Sequence, residues 1–499
     1  MAINFHDSPI PRYLQLADLM RQRIARGQWG QGHRLPSLEE LVAEFGVARV
    51  TVRQAIDVLT REGLVSPQQG RGTFVTGLPP NDRWLQVQTT LAELAKVYRD
   101  TKPKIVNIDE TITNPPLTAQ DAAPITPARV RAHVFRYPVS TPVKTSFGTM
   151  HDRPAVLVEV EDSDGAVGWG EVWCNFPACG AEHRARLVET VLAPLLTARA
   201  FADPAQAFAH LEARTAVLAI QTGEPGPLAQ AIAGLDIALC DLAARRAGQP
   251  LWAWLGGSGD RIGVYASGIN PENPEDVVAR KAAEGYRAFK LKVGFDDARD
   301  VRNALHVREL LGAATPLMAD ANQGWDLPRA RQMAQRLGPA QLDWLEEPLR
   351  ADRPAAEWAE LAQAAPMPLA GGENIAGVAA FETALAARSL RVMQPDLAKW
   401  GGFSGCLPVA RAVVAAGLRY CPHYLGAGIG LQASAHLLAA VPGLASPGLL
   451  EVDANDNPLR SLLSPALATL HDGRITLGGA PGLGVTPDLA ALRAACAAR

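Results

Sequence analysis

The chain has 499 residues, 48% of them hydrophobic and 20% charged, with a formal net charge of −3. These values place it among soluble globular proteins of roughly two to four domains. They exclude a global electrostatic pull toward nucleic acid or acidic membranes, so any such binding has to come from a local patch.

The six cysteines include no CxxC and no even framework of close spacings, and the first residues, MAINFHDSPIPRYLQL, lack the apolar run of a secretory signal. A reducing cytoplasm is the expected compartment. Residues 421–450 carry no Asp, Glu, Lys or Arg, but three prolines, several glycines and two histidines interrupt them. They read as buried barrel rather than as a membrane span.

Residues 8–76 alternate short amphipathic helices with turn signals and end in GLVSPQQGRGTFVTG, two β-prone runs around a Gly-rich turn. Inside them, GHRLPSLEELVAEFGVARVTVRQAIDVLTREGLV predicts a helix, a turn at Gly46-Val47, and a second helix whose first turn exposes Arg49, Thr51 and Arg53. Such donors suit a major groove. The turn Gln69-Gly70-Arg71-Gly72 would bring a backbone and Arg71 to the minor groove or to phosphates. The local charge is modest, since residues 1–80 hold nine arginines and no lysine against seven acidic residues. An isolated Arg-x-x-x-Arg would read as a solvated helix face; the turn and the wing in order favour DNA. The stretch from about residue 9 to 76 resembles the winged helix-turn-helix of the GntR family of bacterial regulators. That resemblance implies operator DNA as a partner, with contacts at Arg34, Arg49, Thr51, Arg53 and the wing glycine Gly70. This chain departs from the family pattern at Leu38-Glu39 and at Ala48, where Ser or Thr is usual.

Residues 77–127 hold one plausible helix, TTLAELAKVYRD, and end in a Pro/Thr/Ala-rich tract that reads as linker. Residues 80–110 further resemble the opening of the effector domain in the HutC branch of that family, and there the resemblance stops. From about residue 128 a strand pair, ARVRAHVFRYPV and PAVLVEVEDSDGAVGWGEVW, the second turning at Asp164-Gly165, precedes Ala-rich helices up to LWAWLGG.

Seven polar residues then recur at nearly one interval: Lys292, Asp320, Glu346, Glu373, Asp396, His423 and Glu451, separated by 28, 26, 27, 23, 27 and 28 positions. Each ends a short apolar run and is followed by enough chain for a helix. That is the rhythm of a parallel (β/α) barrel, whose C-terminal strand ends share one face. Asp320, Glu346 and Glu373 offer three hard oxygen ligands on successive strand ends, which suits Mg²⁺. The alternation Lys290-Leu-Lys292 points both amines to the same side of a strand. Asp396, one strand before His423, can orient an imidazole and raise its basicity. Taken singly, each residue has a blander reading: a helix cap for a carboxylate, an exposed edge for a lysine, a structural histidine. Taken together they address one problem. Removing the proton beside a carboxylate makes a doubly charged enediolate, which a metal, Lys290 and a protonated Glu451 could stabilise, with Lys292 and His423 on opposite sides of the carbon.

With KLK, LMADANQGW, WLEEP, AGGEN, QPDLAKWGG, PHYLGAGIG and LLEVD in order, residues 128–490 resemble the enolase superfamily, whose sites join a Lys or His base to Mg²⁺. Within it they resemble the mandelate racemase subgroup of the mandelate racemase/muconate lactonizing enzyme family. Asp396 discriminates, because the muconate-lactonizing subgroup has lysine there. The resemblance implies an α/β architecture: a winged helix-turn-helix (8–76), a linker (77–127), an α+β capping domain (128–258), a modified (β/α) TIM-type barrel (259–478) and a segment returning to the capping domain (479–499). It implies Mg²⁺ on Asp320, Glu346 and Glu373, acid–base roles for Lys292 and the His423–Asp396 dyad, and a hydrogen bond from Glu451 to the enediolate. EVDANDNPLR with PGLGV is similar to acid-sugar lactone cycloisomerases and dehydratases. TPVKTSFGTM and WCNFPACGAEH are candidate lid loops, while Cys174, Cys179 and His183 lack the fourth ligand of a second metal site. Three functions stand open: an enzyme acting on a hydroxy-carboxylate or sugar acid and carrying a DNA-binding domain, a regulator whose barrel senses such an acid without turnover, and a fusion with an idle N-terminal domain. A homo-oligomer would pair the winged domains on a palindromic site.

Overall fold

The computed structural model describes residues 12–25, 28–68, 71–76, 123–145, 148–443 and 447–497. They fall into two compact units, within 1–112 and 113–499. In the first, α1 (Arg12–Ala25), α2 (Leu38–Phe45) and α3 (Arg49–Arg61) precede a hairpin of β1 (Val65–Gln68) and β2 (Gly72–Val75). α2 begins at Ser37, whose hydroxyl accepts the Glu40 N–H while the Glu40 carboxylate accepts the Ser37 N–H; two otherwise orphaned donors are thereby satisfied. It ends at Gly46, whose φ of 66° is a left-handed cap that favours a residue without Cβ. α3 buries Val52, Ala55, Ile56 and Leu59 in one core with Leu16 and Met20 of α1, Leu41 and Phe45 of α2, and Val65 and Val75 of the hairpin. Helix, turn and helix lie where the sequence puts them, although Ala48 precedes α3 without any side-chain cap.

The second unit starts with an antiparallel sheet of β3 (Pro127–Thr145), β4 (Gly148–Asp162) and β5 (Val167–Val172). Residues just before β3 already belong to this fold, since Ile125 bridges Phe201. The helix Pro225–Arg246 lies on the sheet so closely that a Cβ at Gly168 would stand 2.1 Å from the Ala238 carbonyl oxygen, and one at Gly170 2.0 Å from that of Gly234. Among the described residues it alone is long and apolar enough to cross a membrane, but 83% of its apolar window is buried, as in a core helix.

Eight parallel strands follow, each leading into a helix: β6 (Arg261–Ile269), β7 (Phe289–Lys292), β8 (Leu317–Asp320), β9 (Leu345–Glu346), β10 (Leu369–Gly371), β11 (Val392–Met393), β12 (Arg419–Tyr420) and β13 (Leu449–Asp453). They pair in chain order, and β13 returns to β6. β12 and β13 meet through the Leu449 N–H on Cys421 Sγ at 3.4 Å. A Cβ at Gly448 would there lie 2.0 Å from the Tyr420 carbonyl oxygen, so the seam closes only with glycine. β14 (Arg474–Thr476) runs antiparallel to the start of β6. The uncharged stretch 421–450 is barrel wall, with Gly428–Ala440 a fully buried helix.

Inside the barrel, Tyr265, Ala288, Met318, Trp344, Ala370, Val392, Cys421 and Leu449 form one apolar layer, one residue on or directly beside each strand. Because strand side chains alternate, the next inward positions, two residues on, are Ser267, Lys290, Asp320, Glu346, Gly372, Gln394, His423 and Glu451. An apolar plug thus floors a polar mouth.

Candidate active site

Lys290 is fully buried. Its Nζ lies 2.7 Å from both oxygens of Glu346 and 2.7 Å from Glu451 Oε1. Glu346 also accepts from Trp344 Nε1 at 3.2 Å and Gln394 Nε2 at 2.6 Å. Lys292 Nζ donates to Asp320 Oδ2 at 2.6 Å and to Asn322 Oδ1 at 2.7 Å. Burial penalises each ammonium, yet Glu346 and Glu451 hold Lys290 well above the usual lysine range, and Asp320 raises Lys292.

Across the ring, His423 Nδ1 is 2.7 Å from Asp396 Oδ2, whose other oxygen accepts the N–H groups of Ala398 and Lys399. With Asp396 fixed by its own backbone, the ring orientation follows. Burial again opposes charge, but Glu373, Glu451 and the Asp396 hydrogen bond outweigh it and hold the imidazole well above its ordinary pKa. Glu373, despite burial, is held well below the carboxylate range by His423 and Lys399.

Among the described residues no three His, Cys, Asp or Glu side chains gather into a ready metal cluster; Asp320, Glu346 and Glu373 each face a cation, respectively Lys292, Lys290, and His423 with Lys399. Glu451 accepts from the Ser267 hydroxyl and the Tyr424 N–H, and against burial Lys290 and His423 lower its pKa. The donor chemistry still fits a divalent cation. Lys290, Lys292, Lys399 and His423 face six carboxyl groups, those of Asp320, Glu346, Glu347, Glu373, Asp396 and Glu451. Burial, with Glu373 and Asp320 nearby, pushes Glu347 up to about 8.

Several residues of this mouth are not marked by the spacing of strand ends. Gln394 and Ser267 are within reach of sequence reasoning, because both sit at inward positions of the two-residue alternation. Lys399, Asn374 and Trp173 are not. Lys399 Nζ reaches Glu373 at 3.3 Å and Asn374 Oδ1 at 2.8 Å, and lies 5.1 Å from the Trp173 ring centre; all three sit on loops, where no period operates. Of the two expected lids, WCNFPACGAEH reaches the barrel through Trp173 and through Asn175, which donates to the Leu425 carbonyl at 2.6 Å. TPVKTSFGTM is the β3–β4 hairpin tip, with residues 146 and 147 outside the described residues. Cys174 is buried and Cys179 exposed, while His183 pairs with Glu224.

In the first unit Arg34, Arg49, Arg53 and Arg71 are exposed and Thr51 is half-buried. Gly70 lies outside the described residues. Arg34 packs across the wing, where a Cβ on Gly72 would stand 2.7 Å from its Nε.

An in-order (β/α) barrel with a capping sheet, two inward lysines, acidic ends on adjacent strands and a His–Asp pair defines an enolase-type enzyme. Comparison with known proteins agrees. "Enolase C-terminal domain-like" matches residues 275–491, "Mandelate racemase / muconate lactonizing enzyme, N-terminal domain" residues 129–256, and "Bacterial regulatory proteins, gntR family" residues 12–75. D-galactarolactone cycloisomerase of Agrobacterium fabrum is 32% identical over 369 residues, 71% of this chain and 95% of that protein. A crystal structure of a mandelate racemase/muconate lactonizing enzyme from Bordetella bronchiseptica RB50 is 96% identical, with TM-score 0.72, over 75% of this chain and all of that one. A racemase from Streptomyces coelicolor A3(2), solved with bound magnesium, is 29% identical with TM-score 0.65, over 74% of this chain and 99% of its own. The chain belongs to the mandelate racemase/muconate lactonizing enzyme family of the enolase superfamily. It is an enzyme of that superfamily that carries an N-terminal GntR domain.

Proposed function

We propose that the barrel is a Mg²⁺-dependent enzyme that removes the proton beside the carboxylate of a hydroxy acid or sugar acid through an enediolate, ending in dehydration, racemisation or cycloisomerisation. The observation that carries this reading is the pairing of Lys292 on β7 with the His423–Asp396 dyad just beyond β12 and β11, across a mouth of acidic strand ends. Asp320, Glu346 and Glu373 would hold the ion. When bound, Mg²⁺ supplies Lewis-acid charge to the substrate carboxylate. Lys290, held by Glu346 and Glu451, adds a buried positive charge beside the developing enediolate, and Glu451 hydrogen-bonds it once protonated. One of Lys292 and His423 takes the α-proton; the other returns a proton to carbon or delivers it to a leaving oxygen. The similarity to a galactarolactone cycloisomerase supports a sugar-acid substrate. The GntR domain binds operator DNA through α3 and the wing, as a homo-oligomer.

The test is α-proton exchange by NMR in D₂O with Mg²⁺ and a pool of hydroxy acids, sugar acids and their lactones, beside Lys292→Ala and His423→Ala. Exchange in the wild type that either variant loses is the expected result. Silence across the pool, with ligands still binding and operator affinity responding to them, would establish a sensor in place of an enzyme.

A further inference from the structure

Glu171, near the end of β5, is 2% exposed, and its carboxylate does not serve the capping domain that carries it. Oε1 accepts the Ala427 N–H at 2.6 Å and Oε2 the Gly430 N–H at 2.9 Å. The Ile429 N–H and the Tyr424 hydroxyl lie against the same group. The three N–H groups, of Ala427, Ile429 and Gly430, are the first donors of the helix Gly428–Ala440, which begins without a side-chain cap of its own, so the capping domain supplies the acceptor. Glycines admit it: a Cβ at Gly426 would come 2.9 Å from Glu171 Oε1 and 2.4 Å from the Tyr424 hydroxyl, and one at Gly430 2.3 Å from that hydroxyl.

Tyr424 joins this cap to the site. Its hydroxyl lies against Glu171, while its own N–H donates to Glu451 Oε2 at 3.2 Å, and its neighbour in the chain is His423. Asn175, also of the capping domain, fixes the next residue by donating to the Leu425 carbonyl. The loop 423–427 is therefore set from the capping domain at both its side chains and its backbone.

We infer that Glu171 is a positioning residue: by capping the helix Gly428–Ala440 and seating Tyr424, it sets His423 against Asp396 and Glu451. The inference rests on the acid–base role proposed for His423, but its geometric part stands apart from that role.

The experiment compares full-length wild type, Glu171→Gln and Tyr424→Phe with Mg²⁺. One readout is the downfield proton resonance of the His423 Nδ1–H hydrogen bond, assigned by its loss in His423→Ala. The other is α-proton exchange on the same acid pool. In folded Glu171→Gln the resonance is expected to move or broaden and kcat to fall between about tenfold and about 100-fold, as for a misplacement near 1 Å, with KM changed less than about threefold. Tyr424→Phe, which deletes a single hydroxyl, changes both readouts in the same direction by less. An unmoved resonance with wild-type kcat in folded Glu171→Gln overturns the inference; if that variant does not fold, the same result in Tyr424→Phe does. Absence of exchange in the wild type would instead sink the functional reading, and the resonance would still decide the positioning.

Discussion

His423 Nε2 stands 2.5 Å from Glu373 Oε2, so the imidazole paired with Asp396 on one side is tied on the other to a proposed metal ligand. A cation on Glu373 competes for that carboxylate. Mg²⁺ is therefore expected to raise the melting temperature of chelator-treated protein, by the equivalent of about 2.7 kcal/mol at a free concentration 100 times Kd. Glu373→Gln should abolish the response. Scanning calorimetry with and without Mg²⁺ checks this, and an unchanged Tm up to millimolar ion counts against the site.

Asp396→Asn keeps an acceptor for the Ala398 and Lys399 N–H groups but removes the charge beside His423 Nδ1. Stability should change little. The exchange rate should fall by about 10²–10⁴, the usual worth of a positioned acid–base group. A rate within about threefold of wild type would remove Asp396 from the mechanism.

Lys290→Met leaves Glu346 and Glu451 buried without their cation. A cost of about 3–5 kcal/mol is expected in urea unfolding, because the uncompensated charges remain. Adding Glu346→Gln to the variant should recover part of that loss; strict additivity would show that the two groups are not coupled.

His436 gives a pH dependence far from the mouth. It is buried neutral: its Nδ1 accepts the Trp252 N–H at 3.0 Å, and Nε2 meets the Leu483 carbonyl at 3.3 Å. Burial lowers its pKa from 6.5 to about 4. A lowered histidine keeps its full contribution above pH 6.5 and loses it as pH falls toward 4, because only the unfolded chain takes up the proton in that window. The loss amounts to at most about 3 kcal/mol. His436→Gln should flatten the stability profile between these pH values, as read by denaturant midpoints.

In the GntR domain, Ala48→Ser supplies the missing acceptor at the start of α3 and should stabilise that helix by about 1 kcal/mol, seen as slower hydrogen exchange of its amides. Arg53→Ala should weaken operator binding and lower the salt slope by about one if the contact is to phosphate. Fluorescence anisotropy against salt measures both, and an unchanged slope would take Arg53 off the backbone.

The sequence alone determined the architecture of the barrel and most of its mouth. One strand plus one helix consumes nearly constant chain length, so seven strand ends announce themselves at intervals of 23–28 residues. Two-residue alternation then places Lys290 and Lys292 inward, with Asp320 beside Glu346. The turn at Gly46 was equally legible, because a left-handed cap selects glycine.

Only the tertiary structure decided what holds those groups. Glu171 and Gly430 are 259 residues apart, and Trp173 meets Lys399 across two loops. No local period connects such pairs, since loop side chains take their places from the packing of whole elements. The balance of charge was decided there as well. Against burial, Lys290 and His423 lower the Glu451 pKa while Glu373 and Glu451 raise that of His423, through charges that act at a few ångströms in space, a distance that positions along a chain do not encode.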